Sequence, residues 1–265
     1  MRFPTVSIIG PGRLGSALKS AFLKAGYDVN HVYERGDTFS GFADLILVTT
    51  PDSEVRKVSS KIASSGQELN GKVFIHCSGA FASSILQELK DRGARTACFH
   101  PLMSVSPETV SFKNIYFDIE GDESVLPLLE EMAKNIGAKS IRVSPKEKEL
   151  LHVSAVMASN YMVTLADLSL RISVSANIPE RTLMDAFLPL MRSSLENLER
   201  LNPTEALTGP IARGDIQTIQ KHVKLLQNNP EMLEMYKKLG LLTLELISSD
   251  LKDSTIKFRL YDLLK

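Results

Sequence analysis

The sequence predicts an α/β chain, with a doubly wound parallel sheet over residues 1–144 and an all-helical domain over residues 145–265. Three observations predict it. A short apolar strand runs straight into Gly-x-Gly-x-x-Gly and an amphipathic helix at the very start. Apolar runs of strand length then alternate with helix-length stretches as far as Val143. Beyond Ser144 only helical periodicity remains. A length of 265 residues is long for one core and suits two.

Val6 to Ile9 reads as a buried parallel strand, and Leu14 to Ala25 as a helix with Leu18, Phe22 and Leu23 on one side, stopped by Gly26. Between them each glycine has a task. Gly10 permits the tight turn, Gly12 lets the backbone approach a diphosphate, and Gly15 lets helix and strand pack closely. The unpaired N–H groups and positive dipole end of the helix then face the anion, with Arg13 and Leu14 beside it. This strand–turn–helix predicts a dinucleotide site, and a glycine-rich turn with no ligand is the competing reading.

Asp28 to Tyr33 is the second strand. An acid at its end would hold ribose hydroxyls and an arginine would welcome a 2′-phosphate. Glu34 and Arg35 offer both, with Tyr33 where such folds often place the acid, so NADP is expected and NAD is the alternative. A merely charged strand exit is the competing reading. Ala43 to Val48 is a continuous apolar strand whose carboxyl end places Thr49, Thr50 and Pro51 where ligands bind in open α/β sheets, and Asp52 is expected to cap the next helix.

Lys72 to Cys77 opens into Ser78-Gly79-Ala80, and Ala94 to Phe99 opens into His100. His76, Cys77, Cys98 and His100 raise a zinc site as an idea. Side chains alternate along a strand, so His76 and Cys77 face opposite ways, and cysteine is commonly just buried, so no metal is expected. Ser78, Gly79 and His100 are expected near the reactive end of the coenzyme. A strand over 114–119, a helix over 125–136 and a strand over 138–143 complete the first domain. Ser144-Pro145-Lys146-Glu147 is a capping box with proline at the first helical position, opening a helix expected to reach Ala176. Further helices are expected over 180–200, 216–228 and 231–246.

Composition narrows the function classes. Lys plus Arg equals Asp plus Glu at 31 each, which gives no electrostatic case for nucleic acid or an anionic membrane. No run approaches the roughly 20 apolar residues of a membrane span, and the opening residues lead directly into a strand, with no room for a signal peptide. Two cysteines make no disulfide framework, so a cytoplasmic protein is expected.

Two clusters lie outside the glycine turn. His152 and Asn160 are eight residues apart on the long helix, about 80° apart around its axis. Such a stripe either satisfies buried groups or faces a cleft. Thr208 to Asp215 carries two glycines and a proline, so Arg213 sits in a shaped turn where it can grip a carboxylate or pair with a neighbouring acid, and Asp215 can cap the helix that follows.

The motifs Gly10 to Gly15, His76-Cys77-Ser78-Gly79-Ala80, Phe99-His100-Pro101-Leu102-Met103, His152 through Asn160-Tyr161, and Ala206 through Asp215 with His222 span nearly the whole chain. In that order they resemble the Rossmann-like oxidoreductases whose helical C-terminal half is a domain of unknown function. That family is similar to the 6-phosphogluconate, 3-hydroxyisobutyrate, ketopantoate and pyrroline-5-carboxylate reductase group. The resemblance implies an NAD(P)-binding N-terminal domain, a helical C-terminal domain of 6-phosphogluconate-dehydrogenase-like type, and a homodimer. Hydroxyacid members of that group use a lysine four residues before the helix asparagine, and here that position is Val156. Their reaction therefore does not carry over. The expected activity is hydride transfer between NADP(H) and a small oxo or imino acid in a cleft between the domains. His152 or His100 would handle the proton, Asn160 and Ser78 would orient the substrate, and Arg213 would hold its carboxylate. The alternative is a non-catalytic dinucleotide sensor that keeps the fold.

Overall fold

The computed structural model describes residues 3–109, 111–173 and 178–265. The chain divides into two units, Met1–Tyr161 and Met162–Lys265. The first holds a seven-stranded sheet in the order β2-β1-β3-β4-β5-β6-β7. Its strands are β1 (Val6–Ile9), β2 (Val29–Tyr33), β3 (Leu45–Val48), β4 (Val73–His76), β5 (Arg95–Pro101), β6 (Tyr116–Gly121) and β7 (Lys139–Arg142). β1 to β5 are parallel, β6 runs antiparallel to β5, and β7 is parallel to β6.

Period-two alternation explains why both faces are covered. Val6, Ile8, Leu45 and Leu47 face one core with Leu18 and Phe22 of α1 (Arg13–Lys24) and Leu129 and Met132 of α4 (Leu126–Asn135). Ile9, Ile46, Val48 and Phe74 face the other, with Val55 and Ile62 of α2 (Asp52–Ala63) and Leu89 of the short α3 (Gln87–Lys90). The chain crosses from β1 to β2 on one side and continues through β3 on the other. The sheet's switch point therefore lies at the carboxyl ends of β1 and β3, beside Gly10 and Thr49.

Asp52 is not a cap. α2 begins at Asp52 itself after Pro51, with no side-chain cap bond, because proline already sets the entry backbone and Asp52 lies in the first turn, where a carboxylate suits the dipole. The capping box at Ser144 forms as the sequence indicates: the Ser144 amide donates to Glu147 Oε2 at 2.7 Å and the Glu147 amide to Ser144 Oγ at 3.3 Å. It opens α5 (Pro145–Ser173). The expected end of that helix falls on residues 174–177, outside the described residues. Contrary to the expectation from the apolar runs, α5 is long and apolar enough to cross a membrane, the one such helix among the described residues. Its small polar residues interrupt every run without adding charge. One such helix is weak evidence of a membrane, since core helices of soluble proteins reach the same length and composition.

In the second unit α6 (Glu180–Leu198), α7 (Pro203–Ala206), α8 (Ile216–Leu226), α9 (Pro230–Leu246) and α10 (Ser254–Leu264) follow. Ile219, Leu244, Leu260 and Leu264 form a core of their own, and Gly240 lies so close to Leu264 that a Cβ there would come within 2.6 Å of it.

Candidate functional site

The first half of the site is the glycine turn. Gly10 has φ +89°, which favours glycine, and a Cβ on it would strike Thr50. At Gly15 a Cβ would lie 2.5 Å from both the Gly10 carbonyl oxygen and Thr49 Oγ1, so helix and strand pack directly. A Cβ on Gly12 would meet nothing within 4 Å. That open space lies at a helix end with no side-chain cap, where the first-turn amides have no intrahelical partner and suit an anion. Thr49 turns inward and donates to the Gly10 carbonyl at 2.7 Å, bracing the turn. Thr50 Oγ1 is buried without a partner. Together these residues fit a diphosphate.

Beside the turn, a cavity of about 340 Å³ is lined by Gly10, Glu34, Arg35, Thr50, Pro51, Lys57 and Lys61 among others. Tyr33 plays no part in it: the ring is buried against Phe39 and its hydroxyl donates to the Gly41 carbonyl. Glu34 and Arg35 are both exposed at the strand exit, and the Glu34 amide donates to Asp37 Oδ2 at 2.7 Å. Lys57 and Lys61 went unnoticed in the sequence. Both come from α2, which reads as an ordinary solvated helix face.

The second half lies at the carboxyl ends of β4 and β5. A cavity of about 600 Å³ is lined by His100 to Ser104 and by His152, Val156, Ser159 and Asn160 of α5. All lie in the first unit. Gly79 is wedged against the histidines: a Cβ there would sit 2.5 Å from His152 Nδ1 and 2.7 Å from His100 Nε2. The two imidazole rings are 6.0 Å apart, centre to centre, and His152 Nδ1 is buried with no partner. Ser78 is buried, and its hydroxyl accepts from the Ala80 amide at 3.1 Å, shaping the loop that carries Gly79. Arg213 belongs to the second unit, exposed in its loop, while Asp215 caps α8 by accepting from the Thr218 amide at 3.0 Å.

Behind His100 stand two residues that sequence reasoning missed. Asp118 of β6 lies directly opposite His100 across the antiparallel pair, and its Oδ2 is 2.6 Å from His100 Nδ1. Its other oxygen accepts from Lys148 Nζ at 2.5 Å. The Lys148 side chain is 0% exposed and that of Asp118 3%. Burial alone would lift the Asp118 carboxyl, but the hydrogen bond to His100 and the Lys148 charge hold it below the ordinary carboxylate range. Burial likewise opposes the Lys148 charge, but Cys98 and the Asp118 carboxylate raise its pKa above that of a free lysine. The signal was present in Tyr116-Phe117-Asp118-Ile119-Glu120, since acids inside an apolar strand must be paired. Glu120 has its own partners, the Ser83 amide and hydroxyl at 2.6 and 2.8 Å.

The remaining strand-end groups are quiet. Burial, with the nearby Lys148 charge, pushes His76 down to about 3, and its Nδ1 accepts from the Ser78 amide at 3.2 Å. Burial pushes the Cys98 thiol up to about 12 and Cys77 upward as well, so neither is a thiolate at neutral pH. No group of three or more His, Cys, Asp or Glu residues is arranged to hold a metal ion among the described residues.

A switch-point glycine turn on a mostly parallel sheet, followed by a helical half, defines the class: a Rossmann-like protein with a helical C-terminal region. Residues 37–101 match the Rossmann-like domain, and residues 115–243 match DUF2520, a domain of unknown function. Among solved structures it is similar to the candidate NADP oxidoreductase BF3122 from Bacteroides fragilis, with a TM-score of 0.75 and 21% identity, covering 91% of this chain and 97% of that one. It is also similar to protein TM1727 from Thermotoga maritima, with a TM-score of 0.74 and 25% identity over 93% and 99%. A pyrroline carboxylate reductase from Plasmodium falciparum with NADP bound follows at TM-score 0.59 and 10% identity, covering 100% of both chains. No curated protein matches the chain.

Proposed function

We propose that the chain is an NADP-dependent reductase acting on a small oxo or imino compound. The observation that carries this reading is the pairing, on one sheet edge, of an open glycine turn with a cavity walled by His100, His152 and Asn160. A bound nicotinamide coenzyme would supply the hydride. Gly10, Gly12, Arg13, Leu14 and Gly15 would hold its diphosphate, with Thr49, Thr50 and Pro51 closing the turn and Ser78 and Gly79 shaping the far end. The pocket holds three cations, Arg35, Lys57 and Lys61, beside three acids, Glu34, Asp37 and Glu54, and Lys57 is paired with Glu54 at 2.7 Å, so the case for NADP over NAD rests on Arg35, whose guanidinium suits a 2′-phosphate. Asn160 would orient the substrate, and a histidine would exchange the proton at its reacting heteroatom. Arg213 rests on its residue type and shaped loop as a carboxylate clamp. The named activities of the solved relatives support a reductase. A second copy of the chain is the proposed partner, as the resemblance implies.

Val156 favours one other reading, a dinucleotide sensor without turnover. Consumption of NADPH, followed by its absorbance against a panel of oxo and imino acids, separates the two. Turnover with at least one member is expected, together with an Arg35→Ala variant that loses about tenfold or more in NADP affinity and little in NAD affinity. Tight coenzyme binding without turnover across the panel would select the sensor, and an unchanged NADP affinity would remove Arg35 from the site.

A further inference from the structure

We propose that Asp118 and Lys148 are positioning residues which hold His100 with its proton on Nδ1 and its Nε2 turned toward Gly79 and the cavity, so that His100 is the group that exchanges a proton with substrate. The inference deepens the reductase reading and rests on it for the identity of the substrate, but the arrangement of the three side chains stands on geometry alone.

Geometry fixes the direction of each bond. Asp118 Oδ2 sits 2.6 Å from His100 Nδ1, and an ionised carboxylate only accepts, so the imidazole must present a proton there. The neutral ring then carries its lone pair on Nε2. That nitrogen lies on the Gly79 side, where a Cβ would come within 2.7 Å of it, and His100 is one of the residues that line the larger cavity.

Lys148 decides whether the imidazole can change its charge. A buried carboxylate beside an imidazole, left alone, stabilises imidazolium and tends to lock the proton on. Here the carboxylate is shared, because its second oxygen accepts from the fully buried Lys148 ammonium at 2.5 Å. The pair is close to neutral as His100 meets it. Other titratable groups packed around His100 are His152 of α5, whose ring centre is 6.0 Å away, His76 of β4, and Cys98 of β5. None of the three carries a negative charge that could replace that of Asp118. The position four residues before Asn160, occupied by Val156, provides no proton, whereas Lys148 lies two helical turns earlier and acts through Asp118.

In the reducing direction the balance is simple. The N–H bond at Nε2 of the imidazolium breaks, an O–H or N–H bond forms on the substrate heteroatom as its double bond to carbon takes up the coenzyme's hydride, and His100 is left neutral with its proton still on Nδ1 and donated to Asp118. Water restores the lost proton. Asp118 stays ionised throughout, and Lys148 keeps its charge.

Long-range ¹H–¹⁵N NMR of the full chain without coenzyme reads the tautomer and titration of His100 directly, assigned with a His100→Gln variant. In its neutral form the wild-type ring is expected to carry its proton on Nδ1. Lys148→Met is expected to move its titration upward by about one pH unit or more. Asp118→Asn should abolish the tautomer preference, and Lys148→Met with Asp118→Asn should return the midpoint toward wild type without restoring that preference. The double variant has no uncompensated buried charge, so it decides the matter if Lys148→Met does not fold. A wild-type Nε2-protonated ring, a midpoint that stays or falls in Lys148→Met, or a tautomer preference that survives loss of Asp118 overturns the proposal. In turnover, the pH limb of kcat should move with the NMR midpoint. NMR behaviour as expected with no turnover on any substrate would leave the relay standing and defeat the reductase reading instead.

Discussion

Gly12 and Gly15 stand three residues apart and answer to opposite constraints. Gly15 is closed in: an added methyl would press on the Gly10 carbonyl and Thr49 Oγ1. Gly12 is open, and its φ of −69° suits any residue. Gly15→Ala should therefore cost about 1–3 kcal/mol of stability by overpacking. Gly12→Ala should leave the melting temperature near that of wild type yet weaken coenzyme binding about tenfold or more, roughly 1.4 kcal/mol. Scanning and titration calorimetry on the two variants test this, and wild-type affinity in Gly12→Ala would mean that the turn does not meet a diphosphate. Such glycines were legible because a turn is written in adjacent residues. Asp118 and Lys148 were not, because their meaning depends on a contact across 30 positions.

α5 presents two different faces. His152, Val156 and Asn160 look into the cavity, while Leu150, Val153, Met157 and Tyr161, each more than half exposed, line the opposite side at helical spacing. An apolar stripe of that kind suits a second copy of the same helix. We expect the wild-type chain to sediment as a dimer and Val153→Glu with Met157→Glu as a folded monomer in sedimentation equilibrium, with a lower melting temperature as the stabilisation by association is lost. An unchanged mass would place the dimer contact elsewhere, and a wild-type chain that sediments as a monomer would remove it. The sequence revealed the length, start and polar stripe of this helix. The other stripe was harder to read, since apolar residues on a long helix look the same whether they meet a core or a partner. The short α3 and α7 were missed for want of enough residues to show a period, and α10 gave no signal that was recognised.

Across the molecule, pH acts through the same buried groups. His76 titrates near 3 when folded against about 6.5 when free, so unfolding takes up a proton below pH 6.5. Stability should thus fall as pH drops from about 6.5 toward 3, by up to roughly 1.4 kcal/mol per pH unit from this group. Asp118, whose folded value is lowered, adds stability above its unfolded value that is lost as pH falls through the folded one. Lys148, whose value is raised, stabilises below its unfolded value and loses this as pH rises through the folded one. Urea midpoints should therefore be highest in the neutral range and decline on both sides. A midpoint that holds level from neutral pH into acid would show that His76 protonates freely in the folded chain. The sheet's existence was legible from its apolar runs. Its reversal at β6 was not, because alternation says which residues are buried and nothing of direction.

That reversal has a practical consequence. His100 and Asp118 are paired rungs of one antiparallel ladder, so their meeting is indexed by backbone register, whatever course the segment between them takes. Residues 102–104 of that segment help to wall the cavity. Lengthening or shortening the linker beyond them would recontour the cavity wall and spare the His100–Asp118 pair, whereas a single residue inserted between Tyr116 and Asp118 of β6 would swing Asp118 to the wrong side of the sheet. The contour of the cavity and the proposed proton relay are in this sense separately editable.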